Sequence, residues 1–132
     1  MSILIGLHVI RALERVEAIT KEVQERIFPI VAPAGIERFP FIIYETNGGN
    51  RTTTKDGRLY DEDSAVVRVV AKKHSDALRL ANEARKALEG YTPDYEEFKI
   101  LGVGGISYND EYVSNLDAYS VNLTFEFKTI DK

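Results

Sequence analysis

The clearest pattern of apolar and polar positions lies near the C-terminus, in the stretch "AYSVNLTFEFK". Five apolar residues alternate there with five polar ones; the apolar set is Tyr119, Val121, Leu123, Phe125 and Phe127, and the polar set is Ser120, Asn122, Thr124, Glu126 and Lys128. A strict period of two predicts an antiparallel strand with one face in the core and the other in solvent.

Two segments have the three-and-four spacing of amphipathic helices. We expect the first helix to begin near Ser2 as N-cap and to break around Glu17–Thr20; its apolar stripe is Ile3, Leu7, Ile10, Leu13, Val16, Ile19 and Val23. We expect the second to follow Ser75 as N-cap and to end before Gly90; its stripe is Ala77, Leu80, Ala81, Ala84, Ala87 and Leu88. The alanines allow a close approach to a sheet.

The remaining apolar runs predict further strands. In "RIFPIVAPAGIERFPFIIYETN", Pro29 removes a backbone donor and so predicts that the Ile27–Phe28 strand lies at a sheet edge, while Pro40 opens a more buried strand. "AVVRVVAKK" presents Val67 and Val69 on one face, and the glycines of "FKILGVGGISYND" suggest a bulge. The order α-β-β-β-α-β-β predicts one α+β domain over 1–132, a mostly antiparallel β-sheet with two α-helices packed on one face.

The segment from Asn47 to Ser64 is polar and long for a loop in a compact domain. Two alternatives remain open: the flanking strands extend into it as an arm, or it stays mobile until a partner orders it.

Composition argues against several classes of function. The net charge of −4 gives no general attraction to nucleic acid, and the absence of cysteine excludes thiolate catalysis and disulfides. His8 and His74 lack a metal-binding or catalytic spacing, so we interpret both as structural or surface residues. Asp61-Glu62-Asp63 reads as a solvated charge run, and "GVGG" lacks the signature of a phosphate loop. No catalytic residue, metal site or cofactor is therefore predicted, and no stretch is long enough to span a membrane.

The order of these features nevertheless resembles a known family. An N-terminal amphipathic helix precedes "RIFPIVAP" and "FPFIIYE"; a polar arm follows, then "AVVRVVAKKHSDALRLANEARKALEG" and the alternating strand "DAYSVNLTFEF". Over about residues 7–128 this resembles the tail completion proteins, the tail-terminator or head–tail joining subunits, of long-tailed phages and prophages. The loop "YTPDYEEFK" is longer and more acidic than the family pattern.

The resemblance implies a structural virion protein, assembled in the bacterial host cytoplasm. It would form a homo-oligomeric ring, typically six-fold, at the head-proximal end of the tail. The polar arm would reach a neighbouring subunit or the tube, with contact residues Asn50, Arg51, Thr53, Lys55, Arg58 and Tyr60. Its partners would be the tail tube protein and head connector proteins, with DNA passing through the lumen without sequence-specific contact and no membrane involved. Two alternatives remain: a small non-catalytic α+β adaptor or ligand-binding module, and an enzyme using Asp/Glu, Tyr44 or His74.

Overall fold

The computed structural model describes residues 2–53 and 59–132, with the side chains of residues 2–49 and 60–132. Three helices and five strands form an α+β fold, as the sequence predicts. The elements in chain order are α1 (Ile5–Glu14), α2 (Glu17–Val23), β1 (Ile27–Pro29), β2 (Phe41–Thr53), β3 (Leu59–Ala71), α3 (His74–Glu89), β4 (Phe98–Val113) and β5 (Ala118–Asp131).

The five strands form one sheet in the order β1-β2-β3-β5-β4. β1 pairs parallel with β2, and the other three pairs are antiparallel. The short strand that contains Pro29 thus lies at an edge, where the missing backbone donor breaks no ladder. β4 forms the opposite edge, and its register against β5 shifts at Ile100/Gly102 and at Val103/Gly105, where the glycines suggested a bulge.

The N-terminal segment forms two helices, as the expected break implies, although the break lies at Arg15 and Val16 rather than around Glu17–Thr20. Leu13, Ile19 and Val23 of the predicted stripe are buried, whereas the rest of the buried face of α1 differs from the prediction. Ser2 is not an N-cap, because α1 begins at Ile5. Ile3 is 85% exposed and Leu7 is 47% exposed. The residues of α1 that face the core are Ile5, His8, Val9, Ala12 and Leu13. Two overlapping sets of apolar residues in this segment have three-and-four spacing. The buried set includes the polar residue His8, so the sequence favoured the other set.

The buried face of α3 is the predicted one, whereas its start is not. Its six buried residues are Ala77, Leu80, Ala81, Ala84, Ala87 and Leu88. The helix begins at His74 with Lys73 as N-cap, so Ser75 lies inside the first turn rather than before it. It ends at Glu89, before Gly90, as expected. The small alanine side chains let the helix backbone lie close to β3 and β5, on which α3 packs.

All three helices cover one face of the sheet and form the main core with it. The apolar side of β5 supplies this core as predicted, with Val121, Leu123, Phe125 and Phe127 all buried. β3 contributes every second residue from Ala65 to Ala71 to the same core. The period-two pattern of β5 therefore identified its inward face correctly, and the predicted pairing of Val67 and Val69 on one face of β3 is confirmed.

The second face of the sheet is not simply solvent-exposed, and the prediction for β5 is wrong there. Ser120 and Asn122 are 2% and 8% exposed. A smaller apolar cluster covers this face at one end; it consists of Phe41, Val70 and Ala118 with Phe28, Ala32, Ile36, Phe39, Ile43 and Leu116. The segment between β1 and β2 supplies several of these residues, which accounts for the apolar character of "RIFPIVAPAGIERFPFIIYETN". Asn122 is satisfied by donating from Nδ2 to Asn109 Oδ1 at 2.9 Å.

Within residues 2–53 and 59–132, none of the helices has the length and apolar character needed to cross a membrane. The longest, α3, has 16 residues and carries charged side chains along its outer face.

Close packing of α3 yields a first prediction. Ala84→Leu adds three carbons at a position that is 0% exposed, so it should lower the free energy of unfolding by about 1–3 kcal/mol. Chemical denaturation followed by circular dichroism measures this change. Lys86→Leu, at an exposed position of the same helix, should change the stability by less than about 0.5 kcal/mol. Equal effects of the two substitutions would contradict the proposed packing.

Candidate functional site

The candidate arm is anchored by a bulge and a buried carboxylate. The register between β2 and β3 shifts between Thr46 and Gly49, and Gly48 has a φ of +88°. Asp63 is 1% exposed and accepts hydrogen bonds from the Ser2 backbone N–H, at 3.1 Å and 3.2 Å, and from the Thr129 hydroxyl at 2.7 Å. A Cβ at Gly49 would lie 2.1 Å from Asp63 Oδ1, so only glycine permits this approach.

This anchor corrects the interpretation of Asp61-Glu62-Asp63 as a solvated charge run. Asp61 and Asp63 are 2% and 1% exposed, and only Glu62 between them is partly exposed. Because side chains alternate along β3, both aspartates lie on the helix-covered side of the sheet. The sequence alone, with three consecutive charged residues, did not indicate that two of them are buried. The part of the chain that the structure describes contains no group of three or more His, Cys, Asp or Glu placed to hold a metal ion.

Both strands extend into the predicted arm. β2 continues to Thr53 and β3 begins at Leu59, with Thr53 opposite Leu59. β5 pairs along β3 only as far as Asp61, opposite Thr129. The four residues from Asp61 to Ser64 therefore belong to the body of the sheet. Among the described residues, Thr52 and Thr53 of β2 pair with Tyr60 and Leu59 of β3 beyond the last residue that pairs with β5.

The six predicted contact residues divide into three groups. Asn50, Arg51 and Thr53 lie on β2, opposite Glu62, Asp61 and Leu59 respectively. Tyr60 lies on β3 and is partly buried, with Lys128 Nζ 5.5 Å from its ring centroid. Lys55 and Arg58 fall outside the described residues. The described members thus follow one hairpin.

His8 is a core residue whose ring is surrounded by aromatic side chains. It stacks on Tyr91 at 5.7 Å between ring centroids and meets Phe127 edge-on at 5.4 Å. Its Nδ1 forms a hydrogen bond with the Tyr95 hydroxyl at 2.8 Å. Burial, with a smaller contribution from the positive charge of Arg15, lowers the pKa of His8 to about 4. His8 is therefore neutral at physiological pH and joins α1 to the loop before β4.

His74, the second histidine, lies at the start of α3 beside an acid that the sequence separates from it by 36 positions. Its Nε2 is 2.7 Å from Asp110 Oδ2, and the two side chains are 43% and 45% exposed. Tyr119 lies 5.4 Å away between ring centroids. An exposed pair of this kind contributes little stability and is typical of a protein surface. Tyr44, another residue considered for catalysis, lies on β2 beside α1, near Gly6.

Large exposed apolar residues lie on three surfaces, and sequence patterns did not distinguish these residues from core residues. Ile3 and Leu7 lie at the N-terminus. Ile30 and Val31 follow β1 and are 72% and 70% exposed, and Tyr108 on β4 is 70% exposed. Ile30 and Val31 belong to the same apolar run as the predicted Ile27–Phe28 strand, and the sequence assigned them no separate role. Contiguous exposed apolar surface is typical of protein contact sites.

The sheet also leaves strand edges without a neighbouring strand. β1 pairs with β2 only from Ile42 to Tyr44, so the described part of β2 from Glu45 onward has β3 as its only strand partner. At the other edge, the outer side of β4 beyond Lys99 has no strand neighbour in the described sheet. Free edges present backbone N–H and C=O groups that can pair with another chain.

Comparison with known proteins identifies the fold but no family. No protein-family model and no curated protein matches the sequence. A solved structure described as "Virion of native gene transfer agent (GTA) particle" contains a chain that matches with a TM-score of 0.69 at 16% sequence identity. The match covers 94% of this chain and 92% of that chain. The two chains therefore share a fold over nearly their whole lengths.

The environment of His8 predicts a pH dependence of stability. The unfolded chain binds a proton at His8 below about pH 6.5, whereas the folded chain binds it only near pH 4. Because the unfolded state binds more protons in that interval, stability should fall as the pH drops from about 6.5 to about 4, by an amount on the order of 3 kcal/mol. Above pH 6.5 this contribution should be constant. Urea denaturation at a series of pH values measures it.

Substitution of each histidine separates the loss of stability caused by His8 from the loss caused by titration of carboxylates. His8→Gln removes the titrating group but retains an amide that can hydrogen-bond with Tyr95, so the acid-dependent loss should become smaller. His74→Gln, at the exposed pair with Asp110, should leave the loss close to that of the original protein. An unchanged pH dependence in His8→Gln would show that His8 is not the titrating group.

Proposed function

We propose that this chain is a structural subunit of a phage or phage-like virion that forms a ring at the head-proximal end of the tail. In this role it ends polymerisation of the tail tube and joins the tail to the head. The observation that carries the proposal is the fold shared over 94% of the chain with a component of a gene transfer agent virion. That match supports a structural role in a virion. The narrower role, a ring that ends the tail, is supported by the order of sequence features, which resembles tail completion proteins.

The arrangement of the sheet supports a ring. A ring requires heterologous contacts, in which one patch of a subunit meets a different patch of the next. β1 and β4 lie at opposite edges of the sheet, so each subunit has two different sides on which a neighbour can pack. The β2–β3 hairpin beyond Asp61 adds a projection that can reach an adjacent subunit or the tube.

The charge of the chain is compatible with DNA in the lumen of such a ring. A net charge of −4 provides no general attraction to the phosphate backbone, and strongly basic walls would hold the DNA by releasing its counterions. The proposed partners are the tail tube protein, the head connector proteins and further copies of this chain. The proposal assigns no catalytic step and no cofactor.

Loss of the gene from the phage or prophage that carries it tests the terminating role. Tails assembled without a terminator should continue to polymerise, so electron microscopy of a lysate should show tubes of uneven, increased length and heads without tails. Supplying the gene from a plasmid should restore tails of uniform length. Tails of normal length joined to heads in the absence of the protein would contradict the proposal.

Shortening the hairpin tests the arm separately. The variant removes 52–60 and joins Arg51 to Asp61 through Asn-Gly, a two-residue turn suited to an antiparallel hairpin. Asp63 and its hydrogen bonds to Ser2 and Thr129 remain, so the variant should unfold near the temperature of the original protein. It should fail to restore infectious particles in the complementation assay. Full restoration by a stably folded variant would remove the proposed role of the arm.

A matched control for the arm keeps the hairpin and changes an unrelated surface. Lys86→Leu, an exposed substitution on α3, should fold normally and restore infectious particles. An adaptor or ligand-binding module outside the virion, the alternative function, would leave the particle count unaffected by either variant.

A further inference from the structure

Two large apolar side chains project from the edge of the sheet on a strained backbone. Ile30 has a φ of +69°, and Val31 N–H donates to the Pro29 carbonyl at 2.7 Å, which closes a three-residue γ-turn around Ile30. A β-branched residue with a positive φ is a genuine outlier. Ile30 N–H also donates to the Tyr44 carbonyl at 2.8 Å, which fixes the turn on β2. We call Ile30 and Val31 the edge knob.

The strain indicates a role outside the folding of a single chain. Backbone strain of this kind costs on the order of 1–3 kcal/mol and concentrates where function requires a particular geometry. The two side chains are 72% and 70% exposed, so packing within the chain gains little from them. Glycine or asparagine would adopt the same backbone conformation more easily. Apolar side chains at this position therefore suggest a contact made with another molecule.

An apolar groove lies near the opposite edge of the sheet, between α3 and β4. Leu78, Ala81 and Arg85 of α3 form one wall, Tyr108 of β4 forms the other, and Val121 and Leu123 of β5 form the floor. α3 packs on β3 and β5 rather than on β4, which leaves this space open. Leu78 is 40% exposed and Tyr108 is 70% exposed. We call this space the α3–β4 groove.

We propose that the edge knob of one copy of this chain inserts into the α3–β4 groove of a second copy. Across a five-stranded sheet the two edges are roughly 19 Å apart at about 4.8 Å per strand, so the knob does not reach the groove of its own chain. The contact is heterologous, and its repetition closes a ring or propagates a filament. It rests on the proposed ring and names the surfaces that join its subunits.

The composition of both surfaces favours this occupant. The segment from Ile30 to Ile36 contains no charged residue, and Arg85 is the one ionised side chain among the residues that line the groove. Arg85 is already neutralised by Glu89 and hydrogen-bonded to Asn82 at 3.0 Å. Depletion of charge together with an aromatic residue, here Tyr108 in the wall of the groove, is typical of the core of a protein–protein interface.

Disulfide trapping tests the contact directly, because the chain has no cysteine of its own. The double variant Val31→Cys with Leu78→Cys should form a ladder of disulfide-linked multimers under mild oxidation, and a reductant should collapse the ladder. Val31 follows β1, and the floor of the groove is on β5, three strand spacings or roughly 14 Å away. Because a disulfide requires Cα atoms within about 7 Å, we expect no bond within one chain. Mixing the two single variants should give dimers and nothing larger.

The control pairs Val31→Cys with Ile3→Cys, which places the second cysteine at a position 85% exposed and outside the groove. This pair should give markedly less cross-linking at the same protein concentration. Equal cross-linking by the two pairs, or none by Val31→Cys with Leu78→Cys at any concentration, would overturn the proposed contact.

A second variant separates the contact from the ring itself. Ile30→Asn retains the backbone conformation with a residue that tolerates positive φ, so it should melt at or above the temperature of the original protein. The dissociation constant for self-association, measured by sedimentation, should rise at least tenfold. If Ile30→Asn and the original protein both assemble equally, the contact is wrong while the ring stands. If the original protein never assembles and never cross-links, with or without added tail tubes, both the contact and the ring are wrong.

Discussion

The antiparallel pairing of β3 with β5 is the constraint on which the rest of the structure depends. Eleven consecutive residue pairs, from Asp61 opposite Thr129 to Ala71 opposite Tyr119, place these strands at the centre of the sheet. A slip by one residue would move the apolar side of β5 away from the helices. The same register brings Thr129 to Asp63, so the base of the arm and the main core are fixed by one set of hydrogen bonds.

A central pair with neighbours on both sides leaves the sheet with two unlike edges. One edge carries β1, the strained turn at Ile30 and the free part of β2; the other carries β4. A chain that functioned alone would gain nothing from leaving an apolar knob at one edge and an apolar groove near the other. For a subunit that meets its neighbours head to tail, the same two features are complementary.

Sequence patterns predicted the parts of the fold where one residue periodicity dominates. The period of two in β5 and the alanine stripe of α3 identified the buried faces, and Pro29 identified an edge. The core-facing side of α1 was predicted only in part. His8 lies on that side, buried among aromatic residues that are more than 80 positions away in the sequence. The burial of Ser120 and Asn122 was missed because their side chains bond to each other and to Asn109 on β4, a contact that alternation along β5 does not show.

The candidate site was less accessible to sequence reasoning than the fold. Composition and length directed attention to the arm, yet Asp61 and Asp63 within that segment are buried. Their burial depends on the pairing of β3 with β5, which local sequence does not encode. The edge knob and the α3–β4 groove could not be predicted for a similar reason. A run of apolar residues does not distinguish a core strand from a strained turn. The groove is formed by residues of three separate elements, α3, β4 and β5.

Whether this chain forms a ring can be measured by native mass spectrometry of the purified protein over a concentration series. A ring-forming subunit should give one discrete closed oligomer, a hexamer by resemblance to tail completion proteins, either alone or in equilibrium with the monomer. Addition of tail tubes should shift any residual monomer into the ring. A monomer or a dimer at every concentration, with and without tubes, would show that the chain is not a ring-forming subunit.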